Sequence, residues 1–162
     1  MPRHRSWRAS CLLGTLLLLS GSQFGRAADG DEDEAIREAV FRFQIAFETE
    51  GDPGRVLCLG IGNGGRRQSP APTLMRRFAD GDRVRSVASC RVQPDRVVDT
   101  ETGGDATLAT TGSIKRVGRS EAHVQGGYYR NARSSEHYTY RVVREEQGWV
   151  ALGPILHGLD HE

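Results

Sequence analysis

The segment VQGGYYRNARSSEHYTYRVVREEQGWVALGPIL, Val124–Leu156, decides the fold. Aromatic and β-branched residues alternate with polar ones, and turn-rich breaks divide the run, the pattern of antiparallel strands joined by hairpins. EEQGW fits a three-residue hairpin loop with Gly148 in the left-handed position. That offset pairs Glu145 with Trp149, Val142 with Leu152, Tyr140 with Pro154 and Tyr138 with Leu156. One face of the ribbon becomes apolar, as a sound register requires. On the same face Arg130 pairs with Glu136, Tyr128 with Tyr138 and Val124 with Val142. Extended outward, the pattern predicts a meander of strands over 106–117, 121–130, 136–145 and 149–157. Gly112, Gly126 and Gly127 fall mid-strand, where the sheet can bend sharply.

Upstream, DEDEAIREAVFRFQIAFETE (31–50) repeats Ile36, Val40, Phe43 and Phe47 at spacings of four, three and four, with Ala39 and Ala46 on the same face. Asp31 can cap a helix there, with Glu34 three residues on, and the acidic first turn suits the positive helix end. Gly51 and Pro53 stop it. Phe41 and Ile45 widen the stripe, so the helix is expected deep against a sheet. RVLCLGI (55–61) reads as a short buried strand. TLMRRFAD (73–80) reads as one short extra helix, capped at Thr73, with Leu74, Met75 and Phe78 inward. RVRSVASCRV (83–92) reads as a second strand and RVV (96–98) as a brief one.

One long helix on a bent antiparallel sheet is an α+β layer arrangement. It resembles the cystatin-like and NTF2-like group, in which a curved sheet wraps a helix around a conical pocket. DEAIREAVFRFQ together with VQGGYYRNA…YTYRVVREEQGWV is similar to a family of small exported bacterial proteins. The resemblance covers the long helix and most of the meander. It implies the fold and brings no catalytic residue onto this chain.

The first residues carry an address. Arg3, Arg5 and Arg8 precede the apolar CLLGTLLLLS, and SQFGRAADG supplies small residues for cleavage after Ala27. This is the layout of a signal peptide over 1–27, too short in its apolar run for a membrane span. The expected product is a single domain over 28–162, exported to a bacterial periplasm or secreted, with no membrane span. Its four leader arginines removed, the chain keeps 18 of its 22 basic residues against 21 acids, a net charge of −3. That balance argues against a general nucleic-acid binder. Residues 28–52 hold nine acids and two arginines, whereas 55–96 hold nine arginines and three acids, so the two segments are expected to face each other. Cys58 and Cys90 remain as an even pair in an oxidising compartment, read as a disulfide over the competing reading of two buried thiols.

Gly60, Gly62 and Gly65 in CLGIGNGG match the G-x-G-x-x-G spacing of a dinucleotide loop. Such a loop needs a helix opening directly from it, with the phosphates at the helix N-terminus. Pro70 and Pro72 prevent that here, so the stretch reads as a surface loop and no cofactor is expected. The meander registers place Tyr129 opposite His137 and His137 opposite His157, a row with β-carbons about 5 Å apart. This row is the candidate ligand-facing set, and His137 with His157 the candidate metal pair, although a metal site normally wants a third ligand. His161 lies in the tail, His123 falls on a strand opposite Val143, and Ser134 and Ser135 sit in a loop without oxyanion donors. Asp99, Glu101 and Asp105 read as solvated turn acids, too few for calcium.

Two function classes follow. The favoured one is a non-catalytic exported module that binds a protein or a small ligand in its bent sheet or pocket. The alternative is a small pocket enzyme of the NTF2-like kind, with a histidine or carboxylate as general base. Tyr128, Tyr138 and Tyr140 are expected to dominate the concavity. A polar group deep in that concavity, or an apolar plug, separates the two.

Overall fold

The computed structural model describes residues 24–155 apart from 53, 63, 64, 80 and 82. Helix α1 (Phe24–Gly51) is followed by β1 (Val56–Ile61), the short helix α2 (Pro72–Arg76) and β2 (Val84–Ser86). A 3-10 turn (Val87–Ser89) leads into β3 (Cys90–Val92) and β4 (Val97–Asp99). The meander then runs through β5 (Asp105–Arg116), β6 (Glu121–Asn131), β7 (Ser134–Glu145) and β8 (Gly148–Pro154). The expected strand over 83–92 is thus broken in two by the 3-10 turn.

The architecture is α+β, with α1 lying in a curled mixed sheet that closes into a half-barrel. Strand order is β2-β1-β5-β6-β7-β8, and β3 and β4 form a ribbon attached to β5. The meander is antiparallel as expected, but β1 runs parallel to both β5 and β2. The expectation of a purely antiparallel sheet is therefore corrected. Parallel strands cannot be joined by a tight hairpin, and the long connection from Ile61 to Asp105 supplies the crossover that β1 and β5 need. Ala106 pairs with Val56 of β1 and with Val97 of β4, so the ribbon and the parallel strand flank the same point of β5.

The apolar run of β1 is buried on both faces, with Leu57 and Leu59 on one side and Cys58 on the other. Inside the curl, Ile36, Ala39 and Val40 of α1 pack on Ala122, Val124, Tyr140 and Val142. One step round the helix, Phe41 packs on Leu57, Leu59, Leu74, Phe78 and Ala109, its ring edge-on to Phe78 at 6.2 Å. A helix hidden on so wide an arc needs a sheet that wraps it. On the outer face Cys58, Val97, Ala106 and Leu108 form a third cluster beside Cys90 and Tyr129. There Cys58 and Cys90 are joined as a disulfide with their Cα atoms 6.3 Å apart, so the bond ties β1 to the β3–β4 ribbon.

The bend is visible in the backbone. The β5–β6 register shifts between Thr111 and Ile114, around Gly112 and opposite Gln125. The freed Gly112 carbonyl accepts a 2.6 Å hydrogen bond from Nη1 of Arg37 on α1. A β-carbon on Gly126 would lie 2.5 Å from the Thr110 carbonyl oxygen, and one on Gly127 would lie 2.0 Å from that of Glu136. No side chain fits at either position, so the strands close up at the bend only because these residues are glycines.

Several local expectations change. Helix α1 begins at Phe24, so Asp31 lies inside it rather than capping it, and the proposed cleavage point after Ala27 falls in its first turns. Residues 1–23 of the proposed signal peptide lie outside the described residues. Helix α2 starts with Pro72 behind Ala71, and the Thr73 hydroxyl donates to Glu34 instead of capping. Of the predicted α1 stripe, Phe47 is 58% exposed and Ala46 is exposed, while Phe41 is fully buried. The acidic and arginine-rich segments meet in part, through Arg77 with Glu34 and Glu38 and through Arg55 with Asp52. Glu32 and Asp33 turn instead to Arg116 and Arg144 of the meander. Asp99 is not a solvated acid. It is buried and accepts from the Thr102 hydroxyl and the Glu101 amide, and these bonds, led by Thr102, hold its carboxyl below the usual range. Among the described residues no helix is long and apolar enough to cross a membrane.

Candidate functional site

The site lies where the C-terminal half of α1 leaves the dry core. Ile36, Val40, Gln44 and Glu48 follow one another at spacings of four, a single row down the helix. The first two are fully buried among aliphatic side chains, and the last two are only 4% exposed although polar. Beside them a cavity of about 70 Å³ is lined by Phe43, Gln44, Phe47, Glu48, Tyr128, Tyr138, Tyr140 and Pro154. The three tyrosines expected in the concavity are all there. Their rings form a chain, with Tyr128 and Tyr138 centroids 6.4 Å apart, Tyr138 and Tyr140 5.9 Å apart, and Tyr140 and Phe43 5.8 Å apart. Phe47 is the exposed member of the lining.

Each polar group in the lining has one end engaged. Nε2 of Gln44 donates to the carbonyls of Thr110 and Gly127 and to the Tyr140 hydroxyl. Two of these partners are backbone carbonyls, which can only accept, so the amide nitrogen must face the sheet and Oε1 must face away from it. Oε2 of Glu48 accepts from Nη2 of Arg130, whose Nε reaches the Thr107 hydroxyl and whose guanidinium carbon stands 5.7 Å from the Tyr128 ring centre. The Tyr128 hydroxyl donates to Glu136 at 2.8 Å. Burial, then that bond and the nearby Glu136 charge, push the Tyr128 phenol up to about 12. Tyr140 is also raised, chiefly by burial. Among the described residues the buried side-chain oxygens left without a partner are Oε1 of Gln44 and Oε1 of Glu48.

Tyr129 and His137 of the row read from the sequence lie outside this lining. Along β6–β7 the pairing joins Tyr128 to Glu136, Tyr129 to Ser135, Val124 to Tyr140 and His123 to Arg141. Every partner is displaced by two residues from the expected register, because the hairpin between Asn131 and Ser134 is tighter than assumed. His137 therefore faces Gly127, and the Tyr129–His137 step of the row is not formed. Tyr129 instead packs on the outer cluster beside the disulfide, and His137 is exposed. His157 lies outside the described residues. At the β7–β8 hairpin Glu145 pairs with Gly148 and Val142 with Ala151, one residue from expectation. A bulge between Arg141 and Val142 then restores the expected pairing of Tyr140 with Pro154. Among the described residues no three histidine, cysteine or carboxylate side chains converge as a metal site.

Among the described residues no helix opens from the glycine loop, the next one starting at Pro72. Gly62 (φ +120°) passes so close to the Arg66 carbonyl that a β-carbon would sit 2.3 Å from it, and Ile61 forms a bridge to Gln68. Gly60 thus lies within β1, paired with Thr110, and Gly62 turns the corner after it. Gln44 and Glu48 were missed, and the signal for them was present: a spacing of four from Ile36 and Val40 carries two polar residues onto the buried row.

Compared with protein-family models, curated proteins and solved structures, the chain matches none of them.

Proposed function

We propose that this protein is an exported, non-catalytic module that binds a small ligand in the cavity between the end of α1 and the tyrosines of β6 and β7. Export by removal of 1–27, to a periplasm or beyond, is supported by the Cys58–Cys90 disulfide, a bond that persists in oxidising compartments. The cystatin-like or NTF2-like assignment is supported by a long helix held in a curled sheet with a cavity at one end. The observation that carries the binding reading is the lining itself: aromatic walls with two buried polar groups of unspent hydrogen-bonding capacity. Buried acceptors of this kind cost free energy unless something supplies a donor.

A second reading, a pocket enzyme with Glu48 as general base, draws on the same free oxygen. Against it, the other Glu48 oxygen is committed to Arg130, and neither a histidine nor a serine, cysteine or lysine lines the cavity among the described residues. Ligand-detected NMR with a fragment set tests the binding reading. Hits should compete for one site, weaken on Tyr138→Ala and be recovered unchanged. Fragments that bind equally well to Tyr138→Ala, or not at all, remove the cavity as the site.

A further inference from the structure

Resting on that reading of the cavity, we propose that its ligand is a small primary amine, bound as the alkylammonium cation with its charged head against Gln44 and Glu48. Both unpartnered atoms are oxygens that can only accept, so the missing group is a donor. They belong to residues one helical turn apart that line the same cavity, and one ammonium group carries three donors.

Charge and ring chemistry point the same way. Beside the cavity, Glu48 bonds Arg130 and Glu136 bonds Tyr128, two carboxylates against one guanidinium among the described side chains, an excess of one negative charge. An anionic head would meet two lone pairs and that excess. A cation meets charge-assisted acceptors and the faces of Phe43, Phe47 and three tyrosines, the surroundings that favour ammonium groups. Size sets the rest. A cavity of about 70 Å³ compares with about 30 Å³ of liquid volume per water, which suits a head group with a methylene or two. The remaining chain would leave over Phe47, which explains an aromatic ring left 58% exposed at the end of a buried stripe.

The test uses the purified, disulfide-bonded protein and four probes of one chain length at neutral pH: n-hexylammonium, 1-hexanol, hexanoate and n-hexyltrimethylammonium. Calorimetric titration should show n-hexylammonium binding at least tenfold tighter than 1-hexanol and than the trimethylated cation, with hexanoate weakest. Glu48→Gln, its folding checked by circular dichroism, should erase the preference of n-hexylammonium over 1-hexanol. Equal binding of amine and alcohol would overturn the cationic ligand and leave the cavity reading standing. Equal binding of the trimethylated probe would overturn the donor argument, and tightest binding of hexanoate would overturn both arguments about the head group. Failure of all four to bind would take the cavity reading down as well. The wild-type series decides the matter even if Glu48→Gln does not fold.

Discussion

The row Ile36, Val40, Gln44 and Glu48 on α1 enters one curled sheet, and its two halves meet opposite environments. In the first half Ile36 and Val40 are sealed among Ala122, Val124, Tyr140 and Val142. In the second half the row continues with Gln44 and Glu48, as deeply buried but polar, beside tyrosine rings and a cavity. The difference teaches where stability and binding are separated in this fold. A dry half can be optimised for packing alone, whereas the second half keeps acceptors without partners, which a purely structural row would not keep.

The bend in the sheet joins the halves. Arg37 bonds the Gly112 carbonyl at the bulge, and burial lowers the Arg37 guanidinium from its ordinary value. Gln44 bonds the carbonyls of Thr110 and Gly127 a little further on. The sheet thus curls over the helix with its exposed backbone acceptors met by helix side chains.

The sharpest way to break the comparison is a pair of identical substitutions. Phe41→Ala, in the dry half, should cost about 3–5 kcal/mol in denaturant unfolding, since a fully buried ring leaves a cavity. Phe47→Ala should change stability by no more than about 0.5 kcal/mol, because the ring is mostly exposed. Comparable losses at the two positions would mean that the halves are not distinct.

Reduction of Cys58–Cys90 should cost about 3–4 kcal/mol through the chain entropy of the unfolded state. The bond lies on the outer face, so the ring signals of Tyr128, Tyr138 and Tyr140 should hardly move in NMR spectra of the reduced, still folded protein. The oxidised protein without residues 1–27, and so without Cys11, should show no free thiol on denaturation without reductant. A disturbed tyrosine set would couple the outer face to the cavity.

Gln44→Leu should cost about 1–3 kcal/mol in the same unfolding assay, because the amide leaves two backbone carbonyls and the Tyr140 hydroxyl without their donor. A neutral or stabilising outcome would place Gln44 among residues kept for binding only.

The smallest effect is at alkaline pH. The Tyr128 phenol stands at about 12 when folded against about 10 in an unfolded chain. A raised value of this sign contributes stability that is fully present below pH 10 and is lost as pH rises through 12. Tyrosinate absorbance should show one component titrating near 12, and Glu136→Gln should lower it. Unchanged titration in that variant would mean that the hydrogen bond to Glu136 does not matter.

Much of the fold was legible because it rests on local rules. The meander strands, the buried run of β1 and the brief strands follow from alternation and turn residues, and the long helix from its periodicity. The histidine row was not legible. A two-residue shift keeps every side chain on its own face, so Tyr128, Tyr138, Tyr140, Val124 and Val142 remain together under either register. The partner of His137 changes all the same.

By itself, then, the sequence determined which residues of β6 and β7 share a face, that one helix lies on a sheet, and that two cysteines are placed to join. The one-residue shift at the β8 hairpin instead puts Ala151 opposite Val142 and leaves Leu152 exposed. Periodicity and turn chemistry act over a few residues and leave their mark in any window of that length. Only the tertiary structure decided the parallel entry of β1, the cross-strand partners and the burial of Gln44 and Glu48. These depend on how tightly a hairpin closes, where a sheet bends and which end of the curl stays open, all set by packing between segments far apart in the chain.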